Sequence, residues 1–385
     1  MTDKKTPLYD EHVALGANMT GFGGWQMPLR YTSDLAEHRA VRDAAGLFDL
    51  SHMGDIGVRG PGAAAFLDHA LVGAISQVKH LRARYSMICA DDGGVLDDLI
   101  VYRTGESEYF VVANAANTEL VLGELERRAA GFDVVVEPVP TALLAVQGPR
   151  AEEILRATDG FEEDPEASGG VTLENLRYYA CAPMRFRGEP VIVGRTGYTG
   201  EDGFEIWVSP ERAVELWRAL LSAGEPFGLV PAGLSARDSL RLEAGMPLYG
   251  HELDTTTTPF EAGMGRVVRL DKETADGEPL PFVGRDALAS RKGAQPARVL
   301  VGLRGEGRRP ARAGYDVVRP GADGAAGVKV GSVTSGVPSP TLGYPVAMAY
   351  VTPEVSAEGT ELAVDVRGRA EPFVVVPLPF YRRTK

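Results

Sequence analysis

With 385 residues the chain exceeds what one hydrophobic core usually organises, so two or three domains are expected. Its 44% hydrophobic and 24% charged residues are those of a globular chain and exclude global disorder. A formal charge of −13, with no basic block beyond Arg382-Arg383-Thr384-Lys385, argues against a nucleic-acid partner, because phosphate binding depends on clustered cations.

The opening Met1-Thr2-Asp3-Lys4-Lys5-Thr6-Pro7 lacks the apolar stretch of a secretory signal, and no segment is apolar over a length that spans a bilayer, so a cytoplasmic protein without membrane contact is expected. Residues 33–46 then read as a helix stopped by Gly46, followed by a strand at 54–59 and a helix at 62–71. Strands are predicted at 85–90, 96–103 and 109–113, the first two joined by Asp91-Asp92-Gly93-Gly94, and a helix over 118–130. This order is α+β, without the βαβ alternation of a doubly wound sheet. A second α+β stretch holds a strand at 143–147, a helix opened by Pro149, a polar surface loop at 161–170, strands at 191–195 and 204–208, and a helix at 211–223. The polar, Pro-containing segment 271–281 marks a boundary. After a short helix at 285–291, six short strands at 299–303, 315–318, 328–334, 345–351, 361–366 and 373–376 suggest a small barrel or sandwich.

Phosphate loops, dinucleotide fingerprints and nucleophile elbows are absent from the sequence. Cys89 and Cys181 are too few and too separated for a metal cluster and read as buried small residues. The six histidines are dispersed, which makes metal catalysis improbable, and His52 reads as structural. In Gly93-Gly94-Val95-Leu96-Asp97-Asp98-Leu99-Ile100-Val101-Tyr102, strand alternation sends the two carboxylates to opposite faces. Either both are solvated turn residues, or one enters an apolar face where it needs a partner, a ligand or a proton. Glu205, in Phe204-Glu205-Ile206-Trp207-Val208, is similarly either on a wet sheet edge or binding something. The three glycines of Gly197-Tyr198-Thr199-Gly200-Glu201-Asp202-Gly203 suit a close backbone approach to a ligand or a plain hairpin loop. Residues 235–245 read as a helix capped by Ser235, with Asp238 and Arg241 paired, Arg237 left to act outside it, and a solvated charged face as the ordinary alternative. Asn114 ends a strand and Tyr85 opens one, positions usual for a turn residue and a rim tyrosine.

Taken with Gly24-Trp25-Gln26-Met27-Pro28, Phe48-Asp49-Leu50-Ser51-His52-Met53, Val146-Gln147-Gly148-Pro149, Ala236-Arg237-Asp238-Ser239-Leu240-Arg241-Leu242-Glu243-Ala244-Gly245-Met246, Thr334-Ser335-Gly336-Val337-Pro338-Ser339-Pro340-Thr341 and Pro379-Phe380-Tyr381, these stretches cover nearly the whole chain. Jointly they resemble the folate-dependent aminomethyltransferases of the glycine cleavage system, the T-protein family. The resemblance implies two interwoven α+β (ferredoxin-like) domains and a C-terminal β-barrel around a central folate channel. The expected domains are 1–50 with 140–280, 51–139, and 281–385. It implies transfer of the methylene of an aminomethyl group, carried on lipoylated H-protein, to tetrahydrofolate with release of ammonia and without a metal. By position Asp97 is then the catalytic carboxylate. Tyr85, Asn114, Tyr198, Glu205, Arg237 and Tyr381 are the expected folate contacts. Within the same fold, a folate-dependent demethylase of a small methylated substrate is an alternative. A non-catalytic folate-binding assembly factor is another, and it is disfavoured because the place of its Lys-Gly-Cys motif reads Leu280-Pro281-Phe282-Val283-Gly284-Arg285.

Overall fold

The structure, a computed structural model, describes residues 3–274, 277–321 and 326–384. Two residues of the predicted boundary segment, 275 and 276, lie outside the described residues, as do the first two residues and the last. The described chain divides into two compact units. The first comprises the chain through Ala70, Ala74–Ser86 and Leu99–Asp238, and the second comprises Leu71–Gly73, Met87–Asp98 and Ser239 onward.

The first unit is built on a seven-stranded sheet in the order Phe161–Glu163, Cys181–Phe186, Glu189–Gly194, Gly203–Val208, Ala142–Gln147, Ala45–Asp49, Leu229–Pro231. Neighbours are antiparallel except the last pair. Its apolar face is closed by the helices Ala151–Ala157 and Ala213–Gly224, whose Ile154, Leu155, Leu216, Trp217 and Leu220 are buried with Leu144, Val146, Phe204 and Ile206. Burial of this kind is the dominant favourable contribution to folding. A three-stranded sheet of Lys4–Lys5, Trp25–Arg30 and Asn18–Phe22 belongs to the same unit.

Several local expectations change. The first long helix runs Asp34–Asp43, capped by the Ser33 side chain, and Gly46 lies inside the buried strand Ala45–Asp49 rather than stopping the helix. A Cβ at Gly46 would meet Val41 Cγ2 at 2.5 Å, so glycine is required there by the close approach of helix and strand. The predicted polar loop at 161–170 begins with the strand Phe161–Glu163, because half-buried Phe161 pairs with Phe186 at the sheet edge.

A second sheet orders Ala83–Cys89, Val95–Arg103, Glu108–Ala113, Gly54–Arg59 and Val135–Pro138. In the second unit, six strands form a closed barrel: Val299–Gly305, Pro345–Val351, Ala326–Pro338, Asp316–Pro320, Glu361–Asp365 and Ala370–Val376. Closure follows because the first strand pairs with both Pro345–Val351 and Ala370–Val376, leaving no unpaired edge between them. Leu303, Val317, Ala347, Val364 and Phe373 fill its interior. The barrel alternative thus replaces the sandwich.

Cys89 and Cys181 are free and buried, and burial pushes the Cys181 thiol up to about 12, away from reactivity. Among the described residues no helix is long and apolar enough to cross a membrane.

Candidate active site

The turn before Asp97 is shaped by its glycines. Gly93 has φ of 85°, and a Cβ on Gly94 would stand 2.1 Å from the Thr255 carbonyl oxygen. Bare backbone lets the chain 255–257 lie against the turn, and the Val95 amide donates to the Thr257 carbonyl at 3.0 Å. From there burial alternates along the strand: Val95, Asp97, Leu99 and Val101 are buried, whereas Leu96, Asp98 and Ile100 are partly exposed. Asp97 has 0% exposure, which selects the buried alternative over the solvated turn.

Tyr249 joins this part of the site from a segment that carried no signal in the sequence. Burial, then the carboxylates of Asp97, Asp254 and Asp98, push its phenol up to about 12, so it stays protonated as a hydrogen-bond donor at neutral pH. Tyr381, partly exposed, is tied by its backbone N–H to the Glu243 carbonyl at 2.8 Å. The buried Glu243 carboxylate accepts from Ser339 Oγ, from the Thr341 amide at 3.1 Å and from Thr341 Oγ1 at 2.7 Å. Arg241, also buried, donates to Glu252 at 2.9 Å and Ser335 Oγ at 2.7 Å. The helix Leu234–Glu243 therefore begins one residue before Ser235, which is not its cap, and its Arg241 and Glu243 are not on a solvated face.

In the first unit, Glu205 lies on Gly203–Val208, a strand paired on both sides, so it is not at a sheet edge. All six residues of that strand are buried. Thr196 Oγ1 donates to Glu205 Oε2, and Tyr102 OH reaches the same oxygen at 3.3 Å. Among the described residues both of these donors go to Oε2 and none to Oε1. Burial raises the Glu205 carboxyl above its ordinary range, opposed by Thr196, Arg237 and Tyr102. The partly buried Arg237 guanidinium lies over the Tyr198 ring, 4.8 Å from its centroid. Burial lowers its pKa, while Glu205 and Tyr198 act the other way. Among the described residues no carboxylate is within ion-pairing distance of it.

His52 is 2% exposed, its Nδ1 has no partner, and burial pushes it down to about 4, Asp49 opposing and Arg237 adding to the shift. It is thus a neutral imidazole. Asp55 accepts from Thr141 and from Trp207 Nε1 at 3.3 Å, and burial pushes it up to about 7. Gly197 and Gly203 face the Gln147 side chain, which donates to the Thr196 carbonyl at 3.0 Å and accepts from Thr199 at 3.0 Å. The glycines of that loop thus admit Gln147.

Of the expected site residues, Glu205, Arg237 and Tyr198 form one cluster in the first unit. Tyr85, half-buried on Ala83–Cys89, and Asn114, whose carbonyl caps the turn Ala115–Asn117, belong to the same unit. Asp97 and Tyr381 belong to the second.

An α+β chain with a C-terminal barrel, carrying a buried strand carboxylate, defines a class that known families resolve further. Residues 8–272 match the GCVT N-terminal domain, and residues 298–382 match the glycine cleavage T-protein C-terminal barrel domain. An aminomethyltransferase of Streptomyces coelicolor is 57% identical, covering 99% of this chain and 98% of that one. One of Cutibacterium acnes is 51% identical over the full length of both. The crystal structure of glycine cleavage system aminomethyltransferase T from Bartonella henselae superposes with a TM-score of 0.86 at 37% identity, covering 99% of each chain. The chain belongs to the glycine cleavage T-protein family. It is accordingly an enzyme, an aminomethyltransferase of the glycine cleavage system.

Proposed function

We propose that the chain takes the methylene carbon of an aminomethyl group carried on the lipoyl arm of H-protein, transfers it to tetrahydrofolate and releases ammonia, in the cytoplasm and without a metal. Asp97 is its catalytic carboxylate, and Tyr85, Asn114, Tyr198, Glu205, Arg237 and Tyr381 contact the folate. The observation that carries the reading is Asp97, a wholly buried carboxylate on a strand with a protonated phenol nearby. As a folate nitrogen takes the carbon and ammonia departs, positive charge grows on the nitrogens. A fixed anion sheltered from water stabilises that charge and holds the attacking atom in line. Folate also suits the first-unit cluster. A reduced pterin presents N–H donors that match Glu205 Oε1, and its carbonyl and planar ring match a guanidinium stacked on an aromatic ring with no ion-pair partner among the described residues.

The test is to titrate tetrahydrofolate against the purified protein and then add aminomethylated H-protein while measuring ammonia. Saturable folate binding and ammonia release that depends on both reactants is the expected result. Ammonia release indifferent to H-protein, or a small methylamine serving in its place, overturns the reading.

A further inference from the structure

We propose that Tyr102 is a positioning residue that sets the Glu205 carboxylate for folate, acting through Thr196. The inference rests on Glu205 being a folate contact. Its basis is a hydroxyl relay with fixed direction. Tyr102 OH lies 2.7 Å from Thr196 Oγ1 and 3.3 Å from Glu205 Oε2. Each hydroxyl has a single proton. Thr196 donates its proton to Glu205 Oε2, so the Tyr102 proton points mainly at Thr196 Oγ1, with Glu205 as its weaker second acceptor. Both hydroxyls therefore act on one carboxylate oxygen, which leaves the other to receive a ligand donor.

The Tyr102 ring is itself held in place. Trp207 packs edge to face against it at 5.0 Å between centroids and against Phe110 at 5.6 Å, and its indole N–H donates to Asp55 at 3.3 Å. On the remaining side is Gly194, cross-strand partner of Glu205. A Cβ there would meet Thr196 Oγ1 at 3.1 Å, Trp207 Cζ3 at 3.1 Å and Tyr102 Cε1 at 3.2 Å. These distances are too tight for all three neighbours to stay where they are. Gly194 has no left-handed backbone to explain it, and the space its missing side chain leaves is closed on by the three side chains around Glu205, which a Cβ would displace by a few tenths of an ångström.

Tetrahydrofolate affinity is measured by calorimetry, together with steady-state kinetics, for Tyr102→Phe, Gly194→Ala, Glu205→Gln and the double variant Tyr102→Phe/Glu205→Gln. Tyr102→Phe is expected to weaken tetrahydrofolate binding about tenfold, the upper range for one ordinary hydrogen bond. KM should rise in step while kcat changes less than about twofold, the pattern of lost uniform binding. Gly194→Ala, which leaves every hydroxyl in place, should weaken binding about threefold by displacing them. In the Glu205→Gln background, Tyr102→Phe should add nothing, since residues acting through one group are not additive. If Tyr102→Phe costs as much in that background as in the parent, or lowers kcat with KM intact, the positioning role is wrong while Glu205 keeps its own. If Glu205→Gln alone binds tetrahydrofolate as the parent does, the reading of Glu205 falls and takes this proposal with it.

Discussion

Replacing Asp97 by Asn keeps the shape of the side chain and removes its charge. Asp97 is completely buried, so its effective dielectric surroundings are closer to about 20 than to the value of about 80 in water. A full positive charge about 4 Å away is then attracted by about 4 kcal/mol, against about 1 kcal/mol in water. A transition state with partial charge on the nitrogens draws on part of this, about 2 to 3 kcal/mol, equivalent to about a hundredfold in rate. Ammonia release at saturating aminomethylated H-protein and tetrahydrofolate should therefore drop about a hundredfold in Asp97→Asn. Folate affinity, by contrast, should change little, because the charge appears mainly in the transition state. Asp98→Asn is the internal control: it sits on the partly exposed face of the same strand and should stay within about threefold of the parent. Near-normal turnover in Asp97→Asn with Asp98→Asn crippled would reverse the assignment and, with it, the argument from burial.

Glu252→Gln tests the buried ion pair beside the end of the helix Leu234–Glu243, where Arg241 and Glu252 have side chains 1% and 0% exposed. Leaving the Arg241 charge uncompensated should cost about 3 kcal/mol, read as a lower urea midpoint, and a loss under about 1 kcal/mol would mean that Ser335 and the Met246 carbonyl suffice. Asp55→Asn tests the raised carboxyl. With a folded value of about 7 against 3.8, the native state keeps a proton that the unfolded chain releases, so this group's stabilising contribution is present below about pH 4 and is lost as pH rises to about 7. The parent should lose up to about 1.4 kcal/mol per pH unit relative to Asp55→Asn across that window. Urea unfolding at pH 5 and pH 7.5 that gives the same difference at both would show Asp55 ionised in the fold.

Much of the barrel could be read directly, and the strand predicted at 345–351 is the one observed, Pro345–Val351, because each short apolar run is bounded by turn residues. Asp97 and Glu205 were legible as candidates, each with a solvated alternative, since a carboxylate that strand alternation sends toward an apolar face contradicts its surroundings whatever lies nearby in space. Arg241 and Glu243 did not stand out. On an amphipathic helix, charges at these positions look like a wet face, and the groups that bury them, Ser335 and Ser339, come 94 and 96 residues later. The same holds for Tyr249, whose neighbour Asp97 is distant in the chain. It holds too for Gly194, whose role depends on the side chains of Tyr102, Thr196 and Trp207. Periodicity reports the polarity of one face of one element. A polar group is therefore legible when its own strand betrays it, and hidden when its burial is imposed by elements elsewhere in the sequence. That asymmetry explains why the sequence pointed to the proposed ligand-facing carboxylates and was silent on the Tyr102, Thr196 and Gly194 arrangement behind Glu205, where each residue is ordinary until the fold brings them together.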